Sequence, residues 1–168
     1  MDIEVVFQKG ISFFQFIDRD KDAYKEKTLE IYNQIVIDKA MEKSIRSVTR
    51  PIHVLAFAEI WCPDCMINVP ALQKMVEHNS CFQLRIVSRE GNEKYMDNYK
   101  VNGKPKIPTF VFMEEDFSPI GAFIEQPQVL KEIEAKGKQA EIIVAKRKYR
   151  KGEYIKETIK EIIEIVSK

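Results

Sequence analysis

Chemistry in this chain starts with sulfur. The stretch EIWCPDCMINVP, Glu59 to Pro70, carries Cys62 and Cys65, two of only three cysteines, directly behind the single tryptophan, Trp61. Thiols spaced C-x-x-C can cycle between dithiol and disulfide, ligate a metal, or lie buried and inert. A metal would need more donors, because structural zinc usually takes four ligands and the pair supplies two; Cys81 with His53 or His78 would have to complete the set. Without that role, Cys81 reads as a small apolar side chain at a strand start, and His53 and His78 as packed or capping residues.

The elements around the pair favour redox chemistry. After Arg50-Pro51, the run IHVLAFAEI is a nearly continuous apolar segment of strand length, as a strand covered on both faces would show. From Pro63 to His78, the apolar stripe Met66, Val69, Leu72 and Val76 predicts a helix, with Pro63 at a first position where no N–H is needed. Cys62 therefore sits just before a helix start and Cys65 about one turn inside. The unpaired N–H groups there favour a thiolate. This predicts an exposed, acidified nucleophile at Cys62 and a shielded resolving thiol at Cys65.

Asp64 can be read in two ways. Its carboxylate opposes the Cys62 thiolate by about 0.6 to 2 kcal/mol, depending on the effective dielectric, which moves the couple toward the reducing side by tens of millivolts. It also suits the helix dipole, so it can serve the helix start instead.

The rest of the chain supplies a scaffold. Ser12 to Val48 has helix-friendly composition without glycine or proline and predicts two or three helices. Phe82 to Ser88 alternates as a second strand, and Asn92 to Tyr99 reads as a short helix with an asparagine cap. Thr109 to Met113 and Phe117 to Phe123 flank an acidic turn as a hairpin, whose second strand belongs at a sheet edge because Pro119 cannot donate. Past Gln126-Pro127 the chain reads as helix to about Tyr149. After Gly152, Ile155, Ile159, Ile162, Ile163 and Val166 mark an amphipathic helix. The basic run KRKYRKG, Lys146 to Gly152, reads as a solvated connection between helices. The order strand, helix, strand, helix, hairpin predicts an α/β fold with a central mixed sheet flanked by helices and extra helices at both ends. The expected divisions are a helical extension over 1–50, the central domain over 51–150 and a C-terminal helix over 151–168.

Composition narrows the partners. The 168 residues include 27 basic and 26 acidic side chains, so nothing steers the protein onto nucleic acid or acidic lipid. No apolar run approaches the roughly 18 residues of a membrane span, and the amino terminus lacks the pattern of a secretory leader. A soluble, cytoplasmic protein is the expectation. In a reducing compartment, an odd cysteine count argues against a disulfide framework and for a catalytic or metal-binding pair.

Trp61-Cys62-Pro63-Asp64-Cys65 after a buried strand, Pro70 beyond it, and Ile107-Pro108-Thr109 before a later strand together resemble the thioredoxin superfamily, over about Ile52 to Val129. The W-C-P-D-C box looks like that of small thioredoxin-related proteins with a Pro-Asp insert. The helical amino-terminal extension, SREGNEKYMDNY and IPTFVFMEED look more like a bacterial group of uncharacterised thioredoxin-like proteins.

The resemblance implies a thioredoxin-like fold and a thiol–disulfide oxidoreductase with Cys62 and Cys65 catalytic and no bound cofactor. It would act on protein or low-molecular-weight disulfides, with electrons from an upstream reductase or thiol pool. It also implies a cis bond before Pro108, with Pro108 against the dithiol and the Ile107 backbone free for an extended substrate; Pro70 would kink the helix. Trp61 would screen the dithiol and shape substrate contact, or simply pack, and Pro63 and Asp64 would tune the couple. One departure stands out: Ala56 occupies the position where members commonly bury an aspartate, and Glu59 either replaces it or faces solvent. The competing class is a non-enzymatic binding module, in which residues 1–50 cover the dithiol or dock a partner and the cysteines act as a redox latch.

Overall fold

The nearly continuous apolar run after Pro51 becomes strand β1 (Ile52–Phe57), buried at every position, and the other strands assemble around it. The computed structural model describes residues 2–168. Strand β2 (Phe82–Val87) pairs parallel to β1, from Ile52 opposite Phe82 to Phe57 opposite Val87. A crossover between parallel strands needs a helix, and α5 (Pro63–His78) provides it. Strand β3 (Thr109–Met113) lies antiparallel on the other side of β1, and β4 (Pro119–Ile124) closes the hairpin, giving the order β2-β1-β3-β4. The sheet is therefore mixed, with its two interior strands buried throughout.

Helices cover the sheet from both termini. The amino-terminal segment holds α1 (Ile3–Lys9), which precedes the helices expected between Ser12 and Val48, then α2 (Phe13–Ile17), α3 (Ala23–Gln34) and α4 (Lys39–Arg46). Phe13, Phe16, Ile31 and Ile45 bury this flank almost completely. Between α1 and α2, Ile11 exchanges backbone hydrogen bonds with Ile86 of β2 at 2.9 and 2.8 Å. Gly10 allows that approach, because a Cβ there would meet the Arg85 Cβ at 2.6 Å. At the other terminus come α6 (Gln128–Ala135), α7 (Gln139–Arg150) and α8 (Ile155–Val166). Helix α8 packs on α5 and β4 along the expected stripe of Ile155, Ile159, Ile162 and Val166.

Several expectations need correction. The hairpin's second strand starts at Pro119, not Phe117, because Phe117 adopts a left-handed backbone (φ 66) that ends pairing and stacks its ring on His53 at 4.3 Å. Glu93–Tyr99 is 3-10 helix, and Asn92 does not cap it. The Asn92 backbone lies outside the extended region a cap requires, and its amide donates to Ser88 O at 2.8 Å instead. The helix expected to reach Tyr149 is two helices, broken where Gly137 turns left-handed (φ 69). The basic run Lys146 to Gly152 is not a solvated connection: most of it forms the last turn and a half of α7, and Tyr149 within it is 2% exposed.

Candidate active site

Strand β1 delivers the chain to Cys62, which occupies the N-cap of α5 in extended backbone, with Pro63 at the first helical position. The cap carbonyl accepts the first helical bond, from Met66 N at 3.1 Å. Cys65 lies one turn inside and is fully buried. Both are free thiols and stand 3.3 Å apart, so no disulfide joins them. Contrary to the expectation of an exposed nucleophile, Cys62 is only 5% exposed. The loop ahead of β3 lies against it: its thiol donates to the Ile107 carbonyl at 3.6 Å, and the Ile107–Pro108 peptide is cis. Ile107 is itself buried, so its carbonyl is engaged by the cysteine rather than standing free.

The two sulfurs differ electrostatically. Hydrogen bonding from the Cys65 side chain holds the Cys62 thiol below the usual cysteine value, helped by the backbone N–H groups of Cys65 and Asp64, while burial and the Asp64 carboxylate oppose this. Burial, together with donation to Cys62, pushes the Cys65 thiol well above the usual value. As a thiol, Cys62 donates to Ile107; as a thiolate, it accepts from Cys65. The pair is thus poised as one nucleophile and one protonated partner.

Asp64 points toward the C-terminal helices. Its Oδ1 accepts from the Tyr149 hydroxyl at 2.8 Å, and the Arg150 guanidinium stands 4.0 Å away. Burial nonetheless raises its carboxyl above the ordinary aspartate value. One turn further along α5, fully buried Asn68 donates to Tyr149 Oη at 2.8 Å and to the carbonyls of Asp64 and Glu125. Its own carbonyl accepts from Thr158 of α8 at 2.9 Å. The Glu125 N–H in turn donates to Pro108 O at 2.7 Å, so the Pro108 loop and α5 share the backbone of one residue as a common anchor.

The remaining site residues separate cleanly. Trp61 is 48% exposed, with the Arg89 guanidinium 6.0 Å from its ring. The Glu59 carboxylate accepts from the Arg89 backbone N–H at 2.9 Å, which holds the loop after β2. Ala56 is fully buried between Ile86 and Phe110 in the sheet. Pro70 lies buried inside α5. Cys81 precedes β2 at the opposite end of the sheet, about 20 Å from the dithiol by strand rise, and His53 lies at that same end. His78, near 3.5 Å from Glu42, ends α5 about 24 Å from Cys62 by helix rise. A metal shared by the pair with Cys81, His53 or His78 is therefore ruled out by distance, and among the described residues no three His, Cys, Asp or Glu side chains gather as a metal site. Sequence reasoning missed Tyr149, Asn68 and Thr158. The only signal was Ala145 and Tyr149 at helical spacing inside a charged run.

The fold matches known structures along nearly its whole length. A protein of unknown function from Pseudomonas aeruginosa superposes with a TM-score of 0.87 at 22% identity, covering 99% of this chain and 98% of that one. An HIV epitope-scaffold protein superposes with a TM-score of 0.85 at 20% identity, with the same coverage. No curated protein matches the chain. A family model described as thioredoxin matches residues 10–141, beginning well ahead of Ile52 and taking in most of the N-terminal helices. With a C-x-x-C pair at the start of α5 and that match spanning most of its length, the chain belongs to the thioredoxin family.

Proposed function

We propose that the protein is a thiol–disulfide oxidoreductase that reduces protein or low-molecular-weight disulfides through Cys62 and Cys65. The observation that carries this reading is the geometry of the pair: a cysteine at the N-cap position of α5, 3.3 Å from a fully buried cysteine one turn inside, an arrangement that pushes the first thiol's pKa down and the second's up. In the forward cycle, the Cys62 thiolate attacks one sulfur of a substrate disulfide, forming a mixed disulfide and releasing the first substrate thiol. Cys65 gives up its proton and attacks Cys62 Sγ, which releases the second substrate thiol and leaves Cys62–Cys65 oxidised. Two electrons have moved to the substrate, and an upstream reductase or thiol pool restores the dithiol. Trp61 and the Ile107–Pro108 segment flank Cys62 and would meet the incoming substrate. The Asp64 carboxylate disfavours both thiolates, which supports a reductant over an oxidant and a reducing compartment such as the cytoplasm.

The test is disulfide reduction driven by dithiothreitol. Cys62→Ser should fall to background, and Cys65→Ser, incubated with the substrate disulfide in the absence of dithiothreitol, should accumulate the mixed disulfide, visible as a mass adduct. Full activity in Cys62→Ser would sink the reading.

The 5% exposure of Cys62 favours a second reading, in which the dithiol is a redox latch on a binding module. The hydrogen bond that the Cys62 thiol makes goes to Ile107, however, which lies outside the residues 1–50 that this reading assigns to cover it. Alkylation of Cys62 slower than that of a denatured control at neutral pH would support the latch; faster alkylation supports the enzyme.

A further inference from the structure

The buried polar chain behind the dithiol has no role in the cycle just described, yet it begins at Asp64, one of the two residues between the cysteines, and ends in helices appended after the sheet. We propose that Tyr149 is a positioning residue for the dithiol: its hydroxyl fastens the Asp64 carboxylate to α7, so that the C-terminal helices govern the charge felt by Cys62.

Geometry supports this at each link. Tyr149 is 2% exposed and reaches Asp64 Oδ1 at 2.8 Å across 85 residues of sequence. The hydroxyl is oriented by Asn68 Nδ2, which occupies its acceptor side at 2.8 Å and leaves its proton for the carboxylate. Asn68 is oriented in turn by Thr158 of α8 at 2.9 Å. The charged and titratable groups around Asp64 are Tyr149, Arg150 and Lys146 from α7, Lys106 ahead of β3, Glu125 after β4, and the two cysteines on α5. Burial raises the pKa of the carboxyl; the Tyr149 donor, followed by the three cations, pulls it back down. An ionised Asp64 opposes the thiolate at Cys62. Removing the hydroxyl should therefore let Asp64 hold its proton to higher pH, and Cys62 should ionise more readily wherever Asp64 is neutral.

This role rests on Cys62 being the reacting thiol, and its test reads thiol acidity without any disulfide turnover. Iodoacetamide alkylation of Cys62 is followed by mass spectrometry in the full-length protein from about pH 5 to pH 9. Asp64→Asn should alkylate about three- to tenfold faster than the parent at the acid end, equivalent to half to one pK unit. Tyr149→Phe should follow Asp64→Asn at the acid end and rejoin the parent at the alkaline end, making a two-step profile. The double variant should superimpose on Asp64→Asn. Three results overturn the proposal: a Tyr149→Phe profile identical to the parent, an Asp64→Asn profile identical to the parent, or a double variant that departs from Asp64→Asn. Should Tyr149→Phe not fold, the parent protein still decides: the 13C resonances of the Asp64 carboxyl and the Tyr149 ring Cζ should share an inflection with pH, and separate inflections overturn the coupling. A parent that shows this profile yet reduces no disulfide would refute the oxidoreductase reading alone.

Discussion

Helix α5 is gripped at each end by a tyrosine from an added helix, and the two grips differ in burial. At its C-terminal end, Tyr32 of α3 donates to both oxygens of Glu77, at 2.8 and 2.9 Å, with the Lys74 ammonium 4.0 Å over its ring. At its N-terminal end, Tyr149 of α7 donates to Asp64 at 2.8 Å. The chemistry is the same, a phenol on a carboxylate. The first contact faces water, which can replace either partner, so its net contribution is small. The second belongs to a buried chain with Asn68 and Thr158, where a lost partner leaves a polar atom without solvent. An N-terminal flank held mainly by apolar packing thus supports the fold, while a C-terminal flank held partly by buried hydrogen bonds reaches the dithiol.

Urea unfolding should rank the two grips. The largest effect is expected at the centre of the buried chain: Asn68→Leu leaves the Thr158 hydroxyl and the Glu125 carbonyl without their side-chain partner, removes the donor to Tyr149 Oη, and should cost about 3 kcal/mol. Tyr149→Phe removes one donor and should cost about 1–2 kcal/mol. Tyr32→Phe should cost under about 1 kcal/mol, because water takes over the Glu77 carboxylate. Equal costs for the two tyrosines would break the contrast.

A pH experiment sharpens it further. Burial, reinforced by Glu77, pushes the Tyr32 phenol up to about 12 from 10.0, so its contribution is fully present below about pH 10 and is lost as pH rises through about 12. Tyr32→Phe should therefore lose less stability than the parent between pH 9 and pH 11.5, a small difference read from paired urea midpoints. An unchanged alkaline slope would mean that Tyr32 ionises as freely in the folded chain as in the unfolded one.

What the sequence disclosed was local. The apolar run of β1, broken only by His53, the apolar stripe of α5 and the adjacency of Trp61, Cys62 and Cys65 are each local, and side-chain period reports burial directly. Ile107-Pro108 was legible through the resemblance, as an Ile-Pro-Thr run ahead of a strand. The partners of Asn68 lie 57, 81 and 90 residues away, and no periodicity encodes a hydrogen bond across such a gap. Tyr149 was further masked by Lys146, Arg147, Lys148 and Arg150, whose charges imply a solvated face while the tyrosine between them turns inward. The exposure of Cys62 failed similarly: position at a helix start predicts access, but the Ile107 loop that lies against it comes from 45 residues downstream.

The close seat of Gly10 beside Arg85 has a bearing on self-association. Strand β2 is an outer strand, and a bare outer strand is a template on which another copy of the chain can add. Ile11 occupies part of that row of amides, and across the sheet the opposite border is blunted by Pro119 and a register slip between Phe112 and Met113. A bulkier residue in place of Gly10 would press on Arg85 and disturb the seat of Ile11, leaving more of that border open to another strand.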